Sequence, residues 1–133
     1  MNSFIATVSF PALRSLSLLA KKLELALGGL HLRKDDDGRF EEVPAYIGDL
    51  AGMEFALLGI PEGETAEIYI FKFTYRTDRP LCEVRSTVDV FGSNFFVDKI
   101  KNERGYLDYS IELAQRLLAL GFEGVKAMAL RHS

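Results

Sequence analysis

The hydrophobic positions in the first 30 residues predict a strand followed by an amphipathic helix. Residues 4–10 are rich in β-branched and aromatic side chains, which favour an extended strand. From residue 13 to residue 27, apolar side chains recur every three or four positions, the spacing of one helical face. Pro11 suits the first helical turn with Ser9 as its N-cap, and Gly28 and Gly29 end the helix.

The segment from residue 30 to residue 61 predicts short extended elements. Residues 30–33 alternate apolar and polar side chains and lead into an acidic turn at residues 35–38. Residues 39–61 contain Pro44 and three glycines, which interrupt any long period. Short strands are therefore expected here rather than a helix.

Two alternating segments in the middle of the chain predict a β-hairpin. In residues 66–77, aromatic side chains fall on one face of a strand. Residues 83–91 also alternate between apolar and polar side chains, so the two strands are expected to pair across residues 78–80.

The last third of the chain predicts a second helix and a closing strand. Residues 95–101 are expected to form a short helical turn. The second helix begins at Leu107 or Asp108 and stops at Gly121, and residues 125–130 form a strand. The predicted buried stripe of this helix is Leu107, Ile111, Ala114 and Leu118.

Together these elements predict an α+β fold in which an antiparallel sheet is packed by two amphipathic helices. The chain has 133 residues, of which 48% are hydrophobic and 26% charged, so residues 1–133 are expected to form one domain with its own core. Its single cysteine, Cys82, favours a reducing compartment. Since neither a signal peptide nor an apolar run of about 20 residues is visible, a cytoplasmic location without membrane contact is expected.

Charge is distributed unevenly along the chain. The net charge of −3 argues against direct binding of nucleic acid, which favours a strongly basic surface. Residues 28–67 contain ten acidic and three basic side chains, whereas the remaining residues carry a net charge of +4. An acidic surface of this kind steers a basic partner by its field.

The common motifs of enzymes and metal sites are absent from the sequence. There is no Walker or dinucleotide-binding glycine pattern and no nucleophile elbow, and the histidines and cysteine are too few for a zinc site. No cofactor and no bound metal are therefore expected. The one conceivable nucleophile and base are Cys82 and His31, which keep an enzyme as a third hypothesis.

The aromatic row in residues 66–77 allows two interpretations. Together with the nearby basic residues Lys72, Arg76, Arg79 and Arg85, this row could stack bases of a single-stranded nucleic acid. Aromatic side chains spaced two residues apart on a strand share one face. Packing of that face in the core under a helix is the better account of the row.

Residues 38–61 contain a distinctive set of short motifs: Gly38-Arg39-Phe40, Pro44-Ala45-Tyr46, Gly52 and the run from Phe55 to Pro61. This arrangement resembles small bacterial immunity proteins of contact-dependent growth inhibition systems. It implies a cytoplasmic inhibitor without catalytic residues, which binds and neutralises the C-terminal toxin domain of a secreted effector. Toxins of this class are frequently nucleases, whose basic grooves match an acidic surface.

The expected contact residues come from the acidic segment. Acidic side chains would meet the basic toxin, and an aromatic side chain would anchor the interface, which needs roughly 800 Å² on each partner. For the two aromatic residues, packing in the core is the competing interpretation. The predicted contacts are Asp35, Asp36, Asp37, Glu41 and Glu42, with Phe40 and Tyr46 as anchors.

A secretion chaperone is the main alternative function. Such chaperones are also small, acidic, cytoplasmic α+β proteins, and they work as dimers that wrap an extended client. A monomer that binds a folded domain would count against a chaperone.

Overall fold

In the part of the chain that the structure describes, a seven-stranded sheet is covered on one face by three helices. The computed structural model describes residues 1–35, 43–60, 67–92 and 94–128. The strands are β1 (Asn2–Pro11), β2 (Arg33–Lys34), β3 (Ala45–Leu50), β4 (Met53–Leu58), β5 (Ile68–Thr77), β6 (Tyr106–Asp108) and β7 (Lys126–Ala127). The helices are α1 (Leu16–Ala26), α2 (Leu81–Thr87) and α3 (Ser110–Ala119).

The two long strands β1 and β5 form the centre of the sheet. The strand order is β2-β3-β4-β5-β1-β6, and β7 also pairs with β1. All ten residues of β1 pair with β5, so β6 and β7 share the other edge of β1. Every pairing is antiparallel except that of β1 with β6, which is parallel. The α+β class and the largely antiparallel sheet predicted from the sequence are confirmed.

A side chain of α3 fills the gap between β6 and β7 on the edge of β1. The backbone N–H of Thr7 donates to Oγ of Ser110 at 2.9 Å, and the Ser110 hydroxyl donates to Oδ1 of Asp108 at 2.6 Å. On either side, Tyr109 N–H donates to Ile5 O and Met128 N–H donates to Thr7 O. The backbone groups of β1 thus remain paired where the neighbouring strand changes.

The core lies between the sheet and the helices and is unusually aromatic. Alternate residues of β1, β4 and β5 point into it, because successive side chains of a strand face opposite sides. The ring centroids of Phe73 and Phe91 are 5.2 Å apart, and those of Phe91 and Phe95 are 4.4 Å apart. Each helix contributes fully buried side chains to the same cluster, including Leu23, Val84 and Leu117.

The first helix begins five residues later than the sequence predicts. Pro11 is the last residue of β1 and lies opposite Ile68, so neither Pro11 nor Ser9 starts a helix. Ser15 is the N-cap, and its side-chain oxygen accepts a hydrogen bond from Leu18 N–H. The end of the helix before the two glycines is confirmed.

The predicted hairpin across residues 78–80 is wrong, because residues 81–87 form α2. Pro80 is the N-cap, and its ring fixes a backbone angle compatible with the start of a helix. Val84 and Val88 are four residues apart, so the alternation that suggested a strand also places both on one side of a helical turn. The fold therefore has three helices rather than two, and β5 pairs with β1 and β4 instead.

The helix α3 starts later than predicted and buries a different stripe. It begins at Ser110, and Leu107 belongs to β6. Ala114 is buried as expected, but Ile111 and Leu118 are 59% and 51% exposed. The buried residues of this helix are Ser110, Leu113, Ala114 and Leu117.

Residues 95–101 form an irregular loop, not the predicted helical turn. Arg85 of α2 and Tyr109, the N-cap of α3, fix this loop. Arg85 Nε donates to Phe96 O at 2.8 Å, and its guanidinium pairs with Asp98. Tyr109 Oη donates to Val97 O at 2.7 Å. The predicted closing strand is shorter than expected, Lys126–Ala127, and residues 129–130 lie outside the described part of the chain.

We expect Ser110→Ala to destabilise the protein by about 1–3 kcal/mol, because it leaves the Thr7 N–H without its acceptor. Chemical denaturation gives this free energy of unfolding. Ser86→Ala is the matched control, since the exposed Ser86 hydroxyl only donates to Glu83 O. Equal stabilities of the two variants would show that the Ser110 bond contributes little.

The phenol of Tyr109 makes stability depend on pH at the alkaline end. Burial, and secondarily the negative charge of Glu112, raises the pKa of Tyr109 from 10.0 to about 12. Between these values the unfolded chain loses this proton first, so stability falls as the pH rises. Below pH 10 both states keep the proton.

We therefore expect Tyr109→Phe to be less stable than the natural protein at pH 7, because its bond to Val97 O is lost. Above pH 10 the difference in free energy of unfolding between the two proteins should narrow by up to about 2–3 kcal/mol, since the variant has no phenolic proton to lose at residue 109. Urea denaturation of both proteins at pH 7 and above pH 10 measures the difference. A constant difference would contradict the raised pKa.

Candidate functional site

Two of the seven predicted contact residues lie in the described part of the chain. Asp35 follows β2, and its backbone N–H donates to Ala45 O at 2.8 Å, which places it beside the start of β3. Tyr46 lies on β3 opposite Leu57 and packs half-buried against the core. Outside the described residues lie Asp36, Asp37, Phe40, Glu41 and Glu42.

The face of the sheet opposite the core is termed here the helix-free face. The buried residues of α1, α2 and α3 all belong to the cluster on the other face. The helix-free face is formed by the alternate, outward-directed residues of the four central strands. They are Ser3, Ile5, Thr7 and Ser9 of β1, Ile70, Lys72, Thr74 and Arg76 of β5, Glu54, Ala56 and Leu58 of β4, and Ala45, Ile47 and Asp49 of β3.

Two carboxylates face each other across adjacent strands on the helix-free face. Asp49 of β3 pairs directly with Glu54 of β4, and both residues are exposed. Neither side chain forms an ion pair or hydrogen bond with another described residue. Like charges directly opposite each other destabilise a sheet. The pair therefore opposes folding and offers negative charge to a partner.

A shallow groove of about 350 Å³ lies beside this pair on the helix-free face. The strand register places Glu54, Thr74 and Ile5 in one row across three strands. Arg76 and Tyr106 line the next row. The groove thus combines a carboxylate, a guanidinium, a hydroxyl and an aromatic ring, which suits polar contacts with a protein surface.

The tight turn between β3 and β4 produces the carboxylate pair. Ala51 and Gly52 both have positive φ, 54° and 83°, which is typical of a two-residue hairpin loop. This loop pairs Leu50 with Met53 and therefore Asp49 with Glu54. The charge pattern of residues 28–67 does not single out Asp49 and Glu54, and a hairpin centred on Ala51-Gly52 is the signal that could have located this pair.

His31 and Cys82, the candidate base and nucleophile of an enzyme, lie on different elements of the fold. His31 is almost fully exposed before β2, with Nδ1 3.5 Å from Oε2 of Glu24. Cys82 is exposed on α2, which follows β5. No contact joins the two side chains in the described structure. Among the described residues, no group of three or more His, Cys, Asp or Glu side chains is placed to hold a metal ion.

The aromatic row on β5 packs in the core, as the preferred interpretation predicts. Phe71, Phe73 and Tyr75 are all at most 6% exposed. Tyr69 is half-buried, and its hydroxyl donates to Arg14 O. The four rings therefore do not form an exposed platform for bases.

The comparisons with known proteins give no family. No protein-family model, no curated protein and no solved structure matches the chain. Within the described residues, none of the helices has both the length and the apolar character needed to cross a bilayer.

We expect Glu54→Gln to raise the stability of the free protein slightly, because it removes the repulsion between Glu54 and Asp49. The gain should fade at high salt, which screens exposed charges. Thermal denaturation at low and high salt measures both effects. Glu103→Gln, at an exposed position outside the sheet, is the control and should show no such gain. A loss of stability in Glu54→Gln would contradict an unfavourable carboxylate pair.

Proposed function

We propose that the protein is a cytoplasmic immunity protein that binds the C-terminal toxin domain of a cognate secreted effector and neutralises it by covering its active site or substrate groove. A nuclease with a basic groove is the expected toxin. The observation that carries this proposal is the concentration of acidic residues in the two segments of the sequence that connect β2 to β3 and β4 to β5.

The strand ends that these acidic segments connect lie next to one another in the sheet. Arg33 pairs with Ile47, Ala45 pairs with Leu58, and Leu58 pairs with Ile70. The end of β2, the start of β3, the end of β4 and the start of β5 therefore lie side by side. Residues 35–44 and 59–67, which connect these strands, contain eight acidic side chains and one basic side chain.

Asp49 and Glu54 bring two carboxylates to the helix-free face, which also carries Lys72 and Arg76 of β5. They lie on β3 and β4, the same strands whose other ends adjoin the acidic connections. Between them and that end, Ala45 and Ile47 of the same face are 2% and 6% exposed, so they are not available to a partner. The half-buried Leu58 and Ile70 are apolar side chains of this face that a partner could contact. An apolar centre surrounded by a polar rim matches the composition of protein interfaces.

This arrangement supports inhibition by binding rather than by chemistry. A carboxylate-rich surface raises the rate of encounter with a basic groove, and the apolar residues add affinity once the two surfaces meet. A surface of roughly 800 Å² is enough to exclude a large substrate from the groove. The toxin would then be held inactive for as long as the complex lasts.

Co-expression with the C-terminal domain of the effector encoded beside this chain tests the proposal. We expect survival of the cells and co-purification of one toxin domain per chain. Killing without rescue and without a complex would contradict the proposal. Binding only to an unfolded effector segment would instead support the secretion chaperone.

Charge reversal tests the acidic surface. We expect simultaneous substitution of Asp35, Asp36, Glu41 and Glu42 by lysine to slow association with the toxin domain by roughly tenfold or more and to flatten its dependence on salt, because steering by charge acts mainly on the association rate. Stopped-flow kinetics at low and high salt give both quantities.

The matched control for this variant is the double substitution Glu103→Lys and Glu123→Lys, at exposed positions outside the acidic segment. It should leave most of the association rate intact. Equal association rates for the two variants at low salt would place the interface elsewhere on the protein.

A further inference from the structure

The outer side of α1 carries exposed leucines and basic side chains together. Leu18 and Leu25 are 57% and 85% exposed and lie two helical turns apart. Lys21 and Lys22 lie between them on the same side, because residues three or four apart on a helix are neighbours. Lys21 forms no ion pair with another described residue. The side of α1 that faces away from the core is therefore both apolar and basic.

The one acidic residue of α1 is engaged elsewhere and does not neutralise this side. Oε2 of Glu24 accepts a hydrogen bond from Leu32 N–H at 2.8 Å and lies 3.5 Å from Nδ1 of His31. Its carboxylate is thus held by the residues just before β2. The helix α3 differs in this respect, because Glu112 there is paired with Lys99.

A cleft of about 200 Å³ beside the start of α1 contains two more basic groups. Arg14 and Lys22 line it together with Glu123 and the ring of Phe122. Lys22 Nζ donates to Gly121 O at 3.3 Å and lies 4.7 Å from the centre of the Phe122 ring, which holds the ammonium at the cleft. The guanidinium of Arg14 forms no ion pair with another described residue. The cleft therefore has a net positive charge, which suits a phosphate group.

We propose that α1 binds the surface of an anionic membrane. Leu13, Leu18 and Leu25 enter the boundary between headgroups and acyl chains, and one lipid phosphate lies in the cleft between Arg14 and Lys22. Interfacial helices have this composition, since their basic side chains extend past the leucines to reach the headgroups. Such binding needs no spanning helix. It goes against the sequence-based expectation of no membrane contact, which rests on export signals and spanning segments.

A bilayer accounts for exposed leucines on two helices at once. The C-terminal end of α3 adjoins α1 through the bond from Lys22 Nζ to Gly121 O. Near that end, Leu118 and Leu120 are 51% and 45% exposed. Both helices cover the same face of the sheet, so their outer sides point the same way. A nucleic acid would use the cations but leave the leucines in water, whereas an anionic bilayer uses both.

The membrane-binding side is separate from the surface proposed to bind a toxin. Asp49 and Glu54 lie on the helix-free face, on the other side of the sheet from α1. With α1 on the membrane, these carboxylates point away from the anionic lipids, which lowers the repulsion between them. The helix-free face stays open to a protein partner. Membrane binding therefore does not depend on the proposed function.

Flotation with vesicles of phosphatidylcholine, with or without roughly one-third phosphatidylglycerol, tests the inference. We expect binding to the anionic vesicles to be tighter by roughly tenfold or more at low salt, because each basic residue near an anionic surface strengthens binding by roughly fivefold. Lys21→Glu should weaken this binding by roughly tenfold or more. The matched control is Lys126→Glu, at an exposed position opposite Ser9 on the helix-free face, which should bind nearly as well as the natural protein.

A fluorophore locates the contact without changing a charge. The chain contains no tryptophan, so Leu25→Trp introduces a single one on α1. Its emission should shift to shorter wavelengths when anionic vesicles are added, because the ring leaves water. Thr74→Trp, at an exposed position on the helix-free face, is the control and should keep its emission unchanged.

Three results would overturn the proposal, whether or not the chain binds a toxin. The first is a failure to bind anionic vesicles at low salt, which would assign the leucines of α1 to a protein partner. The second is equal weakening by Lys21→Glu and Lys126→Glu, which would show attraction without a defined side. The third is an unchanged emission of the Leu25→Trp variant on bound vesicles.

Discussion

The packing of aromatic side chains against one face of the β1–β5 pair is the interaction on which the rest of the structure depends. Phe4, Phe71 and Phe73 are at most 1% exposed on this face. Loop aromatics pack against them, with the rings of Phe4 and Phe96 5.5 Å apart. All three helices bring their buried stripes to the same cluster, so the helices have no reason to occupy the other side of the sheet. The one-sided core thus creates the helix-free face.

The sequence predicts most accurately those elements whose period is unambiguous over many residues. Strand β1 was predicted from its β-branched and aromatic residues and strand β5 from the alternation of its aromatic side chains, but their pairing with each other was not predicted. The segment around Val84 and Val88 was misread, since a spacing of four residues fits both a strand face and a helical turn. The three residues of β6 are too few to show any period, and their parallel pairing depends on where α3 packs.

The candidate site could be predicted only in part for a related reason. The charge of residues 28–67 is visible in the composition, and the described part of the structure places two of these acids, Asp49 and Glu54, on adjoining strands. The opposition of Asp49 and Glu54 depends on strand register, which is fixed by the left-handed backbone of Ala51 and Gly52. Burial of Tyr46 on the core side depends on the same register, because a shift of one residue exchanges the two faces.

Amide hydrogen exchange of the chain, alone and mixed with the toxin domain of the neighbouring effector, tests the central claim most directly. If the helix-free face binds the toxin, the amides of Asp35 and of β3 and β4 should exchange more slowly in the complex than in the free protein. Exchange in α1 and α2 should be the same in both. Protection confined to the helices, or no protection at all, would contradict a toxin-binding surface on the helix-free face.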